Sequence, residues 1–117
     1  MKISVKDFTD STTLLADKYE KHYNFVSQQL GYAVRPSEDV INGMGYQALA
    51  GRQFRKAERF FKMNVDNYPA SGNVYDSYGD YFEAVGDKKS AIMFFQKVLS
   101  VAENADTRKK LEKLQGK

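Results

Sequence analysis

Apolar side chains recur along this chain at three- and four-residue steps, the spacing that gathers them on one face of a helix. Leu15, Tyr19, Tyr23 (or His22), Val26 and Leu30 make the first such stripe. They predict a leading helix over residues 7–31, with Gly31 as its left-handed stop. The segment YAVRPSEDV then reads as a connector, in which Pro36 keeps Arg35 extended and Ser37 caps the next helix. Helices are predicted over 38–50 and 54–67, separated at Gly51, the second ending before Pro69. Ser71 reads as the cap of a helix over 72–85, Gly86-Asp87 as a turn, and 88–102 as its partner helix. A last amphipathic stretch, 106–114, sets Leu111 and Leu114 against KK and EK charges. No segment reads as a strand.

Sliding the chain along itself by 34 residues superposes its two central hairpins. Gly45 falls on Gly79, Ala57 on Ala91 and Phe61 on Phe95, with Gly51 within one residue of Gly86. Small residues belong where two helices cross closely, and bulky ones where they interlock. The second unit reads Tyr75-x2-Tyr78-Gly79-x2-Phe82…Ala91-x3-Phe95, and the first Ile41-x2-Met44-Gly45-x2-Ala48…Ala57-x3-Phe61…Pro69. Both resemble the tetratricopeptide (TPR) repeat pattern W-x2-L-G-x2-Y…A-x3-F…P. The departures are Ala48 at the aromatic position and Glu103 at the second proline position.

The expected fold class is all-α, a TPR-like hairpin stack in a single domain over 1–117. It comprises a leading helix (7–31), repeat 1 (38–70), repeat 2 (71–104) and a capping helix (105–115) that solubilises the end of the stack.

A second resemblance lies in the runs LGYAVRPSEDVINGMGYQAL, FKMNVDNYPASGNVYDSYGD and GDKKSAIMFFQKVL. They resemble the C-terminal region of a bacterial esterase family, in which a catalytic α/β-hydrolase domain precedes a short TPR-like tail. The likeness covers residues 22–99 and only the non-catalytic part of the family pattern. No catalytic residue carries over.

Composition narrows the picture further. Hydrophobic residues make up 42% and charged residues 28% of the 117, an ordinary globular balance. A net charge of +3 does not predict nucleic-acid binding. The chain has no cysteine, which excludes disulfides and thiolate metal sites. No run approaches the roughly 18 apolar residues of a membrane span, so no membrane partner is expected. The leading MKISVKDFTDSTTLL has no apolar signal-peptide core. The chain as written is therefore expected in the cytoplasm; as a piece of a longer protein, the periplasm or export stays open. Eight Tyr and eight Phe exceed what one small core holds, which suggests faces for a partner, with Phe25, Tyr32, Tyr78 and Phe94 as candidates.

For chemistry the sequence offers little. The nucleophile elbow G-x-S-x-G is absent, Ser71 and Ser77 sit at a cap and within a helix, and His22 is the single histidine. Asp76, Asp80, Glu83 and Asp87 read as a solvated helix face rather than a metal site. Gly43, Gly45 and Gly51 lack the Lys-Ser/Thr of a phosphate loop. The chain is expected to be no enzyme and to use no cofactor and no metal.

The TPR resemblance instead implies a concave face lined by the first helix of each repeat. Its positions here are Asp39, Asn42, Tyr46 and Leu49, then Asn73, Asp76, Asp80 and Glu83. The expected contact residues are Asn42, Tyr46, Asp76, Asp80 and Glu83. Their acidity favours a basic or N-terminal segment, in place of the carboxylate clamp best known in that family. Arg52, Arg55, Lys56, Arg59 and Lys62 form a basic stripe read as a solvated outer face, with an intersubunit or interdomain contact as the alternative.

The expected function is thus a non-catalytic protein-interaction or self-association module, the C-terminal domain of an esterase-like hydrolase. The alternative is a free-standing adaptor that binds a peptide. Partners would be the chain's own catalytic domain, a second copy in a homodimer, or another protein.

Overall fold

The computed structural model describes residues 1–116, which form seven α-helices and no strand. These are α1 (Val5–Thr9), α2 (Leu14–Leu30), α3 (Glu38–Ala50), α4 (Phe54–Asn67), α5 (Gly72–Ala84), α6 (Lys88–Val101) and α7 (Ala105–Leu114). The all-α class is thereby established. Both bounds of α3 recur in α5, and both bounds of α4 recur in α6, at the offset of 34 residues read from the sequence. By compactness the chain divides into Met1–Phe60 and Phe61–Lys117, with α4 falling across the division.

In the first unit the leading helix is not continuous. It breaks between α1 and α2, where the run Asp10-Ser11-Thr12-Thr13 supplies side chains that compete with the helical ladder. Asp10 Oδ1 accepts the Thr12 amide at 2.7 Å and also its hydroxyl, and Thr12 Oγ1 accepts the Leu14 amide at 3.2 Å. These hydrogen bonds turn the chain before α2 begins. At its other end α2 stops as expected, with Gly31 left-handed at φ 77°. Ser27 Oγ then holds the connector, donating to Val34 O and accepting from Val34 N.

Five residues of helix do not hold themselves together in water, and α1 is fastened from three directions. The Asp7 carboxylate accepts the Ser4 amide at 2.7 Å and pairs with Lys18 at 2.9 Å. Gln53 donates to Thr9 O. Lys56 Nζ lies 3.0, 3.0 and 2.8 Å from the carbonyl oxygens of Asp7, Phe8 and Asp10. Lys56 therefore leaves the predicted solvated stripe: it is 3% exposed, and its ammonium terminates α1. The Ser4 amide, then Lys18, hold the Asp7 carboxyl below the usual aspartate range. Burial pushes Lys56 below the usual lysine range, against the upward pull of Asp10 and Asp7. Beneath these contacts lie Leu15, Ala16, Tyr19, Ile41, Ala48 and Phe60, with Tyr19 meeting Phe60 edge to face at 6.3 Å.

α3 begins at Ser37, whose hydroxyl accepts the Val40 amide at 3.4 Å. At its end Gly51 keeps an ordinary φ of −82°, and Arg52 takes the left-handed conformation instead (φ 59°), its guanidinium 5.5 Å over the Phe54 ring.

The second unit is built on the packing of α5 with α6 and of α6 with α7. Gly79 marks the close crossing. A Cβ placed there would stand 2.5 Å from Cε1 and 2.7 Å from Cδ1 of Phe95. Phe95 is fully buried with Ala91 and Leu111, and Phe82, Ile92, Leu99 and Leu114 pack around them. A second cluster joins Val74, Tyr75 and Val98 to Val65, Tyr68 and Phe94, and the Tyr75 hydroxyl donates to Pro69 O at 2.6 Å. Gly86 is left-handed at φ 84°, and Asp87 caps α6 by accepting the Ser90 amide.

Candidate interaction surface

Among the predicted groove residues of the first unit, Asp39 is exposed, while Asn42, Tyr46 and Leu49 are half-buried. The Asn42 Oδ1 is buried and accepts no hydrogen bond from the described residues. In the second unit Asn73 and Glu83 are exposed, whereas Asp76 and Asp80 are half-buried against α7. Lys110 Nζ lies 3.0 Å from Asp76 Oδ2 and 3.0 Å from Asp80 Oδ1, and Thr107 Oγ1 donates to Asp76 Oδ1 at 2.7 Å.

The open acidic face predicted for α5 is therefore closed by α7 at two of its positions. The predicted solubilising helix in fact supplies their counter-ion. Asn104 starts α7 by accepting the Thr107 amide, which aims Thr107 at Asp76. Lys110 also lies 5.5 Å over the Phe95 ring. Nothing in the spacing of α5 marks this, because the partners stand 30 to 34 residues away.

Lys110 carries a linked pH dependence. Burial opposes its charge, but the hydrogen bonds to Asp80 and Asp76 outweigh it and hold the ammonium above the usual lysine range. A raised folded-state value means that this stabilisation is complete below the ordinary lysine pKa of 10.5 and fades as pH rises through the folded one. At neutral pH only mutation removes it. We expect Asp76→Ala to cost about 1–2 kcal/mol and to loosen α7 first. A denaturation double-mutant cycle with Lys110→Met, read beside amide exchange in α7, checks this; additive costs would show that the contact contributes nothing.

Two further positions of the basic stripe find carboxylates, whereas Arg52 and Arg55 are exposed. Arg59 pairs with Asp17 and Glu20 of α2, and Lys62 with Asp66 one turn along at 3.1 Å. Of the four aromatics proposed for a partner, two turn inward. Tyr78 is buried, with its ring centroid 4.6 Å from those of Phe82 and Phe94, and Phe94 stacks on Phe82 at 5.4 Å. The other two stand out: Phe25 is 59% and Tyr32 64% exposed.

Phe25 rises from α2 between two shallow concavities. One, of about 390 Å³, is walled by Met1, Lys2, Lys18, Lys21, His22 and Phe25. The other, of about 580 Å³, is walled by Asp17, Glu20, Lys21, Asn24, Phe25 and Gln28. His22 is half-buried, its ring set edge to face on Tyr23 at 5.1 Å, and its neighbours in the first concavity are cations and apolar groups. Ser77 is buried within α5, and Ser71 occupies the N-cap of that helix. Among the described residues no group of three or more His, Cys, Asp or Glu could hold a metal ion. No described helix is long and apolar enough to cross a membrane.

No family model matches the chain, and neither does any curated protein or solved structure. The functional reading rests on the residues themselves.

Proposed function

We propose that this chain is a non-catalytic, TPR-like protein-interaction module, and that it serves as the C-terminal domain of an esterase-like hydrolase. The observation that supports the reading is the recurrence of two successive helices at 34 residues, with identical lengths in both copies. Each copy sets a glycine on its first helix, Gly45 or Gly79, and alanine and phenylalanine on its second, Ala57 and Phe61 or Ala91 and Phe95. All six of these residues are buried. Stacked hairpins of this kind present surface rather than enclosed chemistry. The exposure of Phe25 and Tyr32 supports a contact role independently of the repeat.

Cross-linking in the source cells with disuccinimidyl suberate, followed by retrieval of the chain, tests the interaction. The expected product is the chain joined to a protein, whether its own upstream domain, a second copy or another partner. Absence of any cross-link, either to another chain or to an upstream domain of the same polypeptide, would overturn the reading. An immunoblot separates its two forms: a band several-fold above 13.4 kDa fits the hydrolase tail, and one near 13.4 kDa the free-standing adaptor. The purified chain should not turn over p-nitrophenyl acetate; turnover lost in His22→Ala would refute the non-catalytic assignment.

A further inference from the structure

We infer that the concavity beside Phe25 is a docking site for an acidic peptide segment carrying an aromatic or leucine anchor. The inference rests on the interaction reading and goes beyond it, by naming the face and the chemistry of the partner.

The walls bring cations together from two stretches of chain, Lys2 ahead of α1, and Lys18 and Lys21 on α2, with the His22 ring beside them. No carboxylate lines the concavity. Lys18 already holds Asp7 at 2.9 Å, while Lys2 and Lys21 have no ion-pair partner among the described residues. The nearby acids on α2 do not fill that need, because Asp17 and Glu20 are engaged by Arg59. Two positive charges thus flank a large exposed ring without local compensation.

A ligand that covers Phe25 must therefore bring its own negative charge. Otherwise it would bury Lys2 and Lys21 beside apolar surface with nothing to neutralise them. A second copy of the same face fails this requirement, since it offers further lysines and acids that are already paired. A volume of about 390 Å³ lies in the lower range for ligand-sized sites, enough for one anchoring side chain and its flanking backbone. Aromatic anchors dominate such contacts, with charged rims that govern selectivity and rate.

Selection of a random 16-residue peptide display library on the immobilised chain tests the site. The expected enrichment is for segments rich in Asp and Glu with one Phe, Tyr, Trp or Leu. As synthetic peptides, these should bind about tenfold more weakly to Phe25→Ala and to Lys21→Glu, and both variants should keep the wild-type circular dichroism. Basic enriched sequences, or no enrichment, would overturn the site. So would association with phosphatidylserine vesicles that no selected peptide displaces. Acidic peptides that bind Phe25→Ala and Lys21→Glu undiminished would also overturn it, yet leave the interaction reading intact; that reading stands or falls on the cross-linking result.

Discussion

Gly79→Ala should lower the stability of the chain by about 1 kcal/mol, although it replaces the poorest ordinary helix former with the best. The propensity gain is about 1 kcal/mol. Against it stands a steric conflict, for the new methyl carbon would lie 2.5 Å from Cε1 and 2.7 Å from Cδ1 of Phe95. The ring cannot turn aside into solvent, because Phe95 is fully buried among Ala91, Leu111 and their neighbours. Relief requires α5 and α6 to move apart, and overpacking of that kind costs about 1–3 kcal/mol before the propensity term is counted. Urea denaturation followed by circular dichroism measures the loss directly. The diagnostic partner is Phe95→Leu. Alone it leaves a void and destabilises; combined with Gly79→Ala it should recover part of the stability, since the shorter side chain makes room for the methyl group. A stabilising Gly79→Ala, or a double variant no better than the sum of its parts, would refute this account of the crossing.

Lys56→Met should release α1. The substitution keeps an apolar stem of similar length and removes the ammonium that reaches the carbonyls of Asp7, Phe8 and Asp10. Carbonyls at a helix end have no partner within the helix, and a positive charge there also opposes the negative end of the helix dipole. Hydrogen bonds to a charged group contribute about 1.5–3 kcal/mol each when measured singly, and water replaces part of them here, so a total near 2–3 kcal/mol is expected. The loss should be local. Amides of residues 5–10 should exchange faster and trypsin should cleave sooner after Lys6, while α5 and α6 keep their protection. Lys56→Arg should restore little, because a planar guanidinium cannot direct three donors at one cluster of carbonyls. Unchanged protection at Asp10 in Lys56→Met would show that Gln53 and Lys18 suffice to hold α1.

What was legible in the sequence was local. The bounds of α3 and α4 follow from apolar spacing, from Ser37 at one end and from the residues around Gly51 and Pro69, all of which act within one or two turns. The Gly31 stop is a property of a residue without a side chain, so it too could be read in place. The 34-residue recurrence marked Gly79 as a close-crossing position and Phe95 as a bulky one, whereas their contact with each other appeared only in the folded chain.

The break after α1 escaped because Phe8 and Leu15 stand seven residues apart, a step that fits one helix face, while the Asp10 and Thr12 side chains that break the helix act through hydrogen bonds that apolar spacing does not register. Lys56, Asp76 and Asp80 were read as solvated because their spacing suits a solvated face; their partners are 30 to 49 residues distant and became neighbours only on folding. The same holds for the aromatics. Tyr78 and Phe94 differ from Phe25 and Tyr32 not in chemistry but in whether another helix arrives to cover them. The chain by itself determined which segments become helices, since that depends on residues a few positions apart. Which charges are neutralised and which rings stay exposed was decided by tertiary packing, because Coulomb attraction and burial depend on distances that only the folded chain brings down to contact.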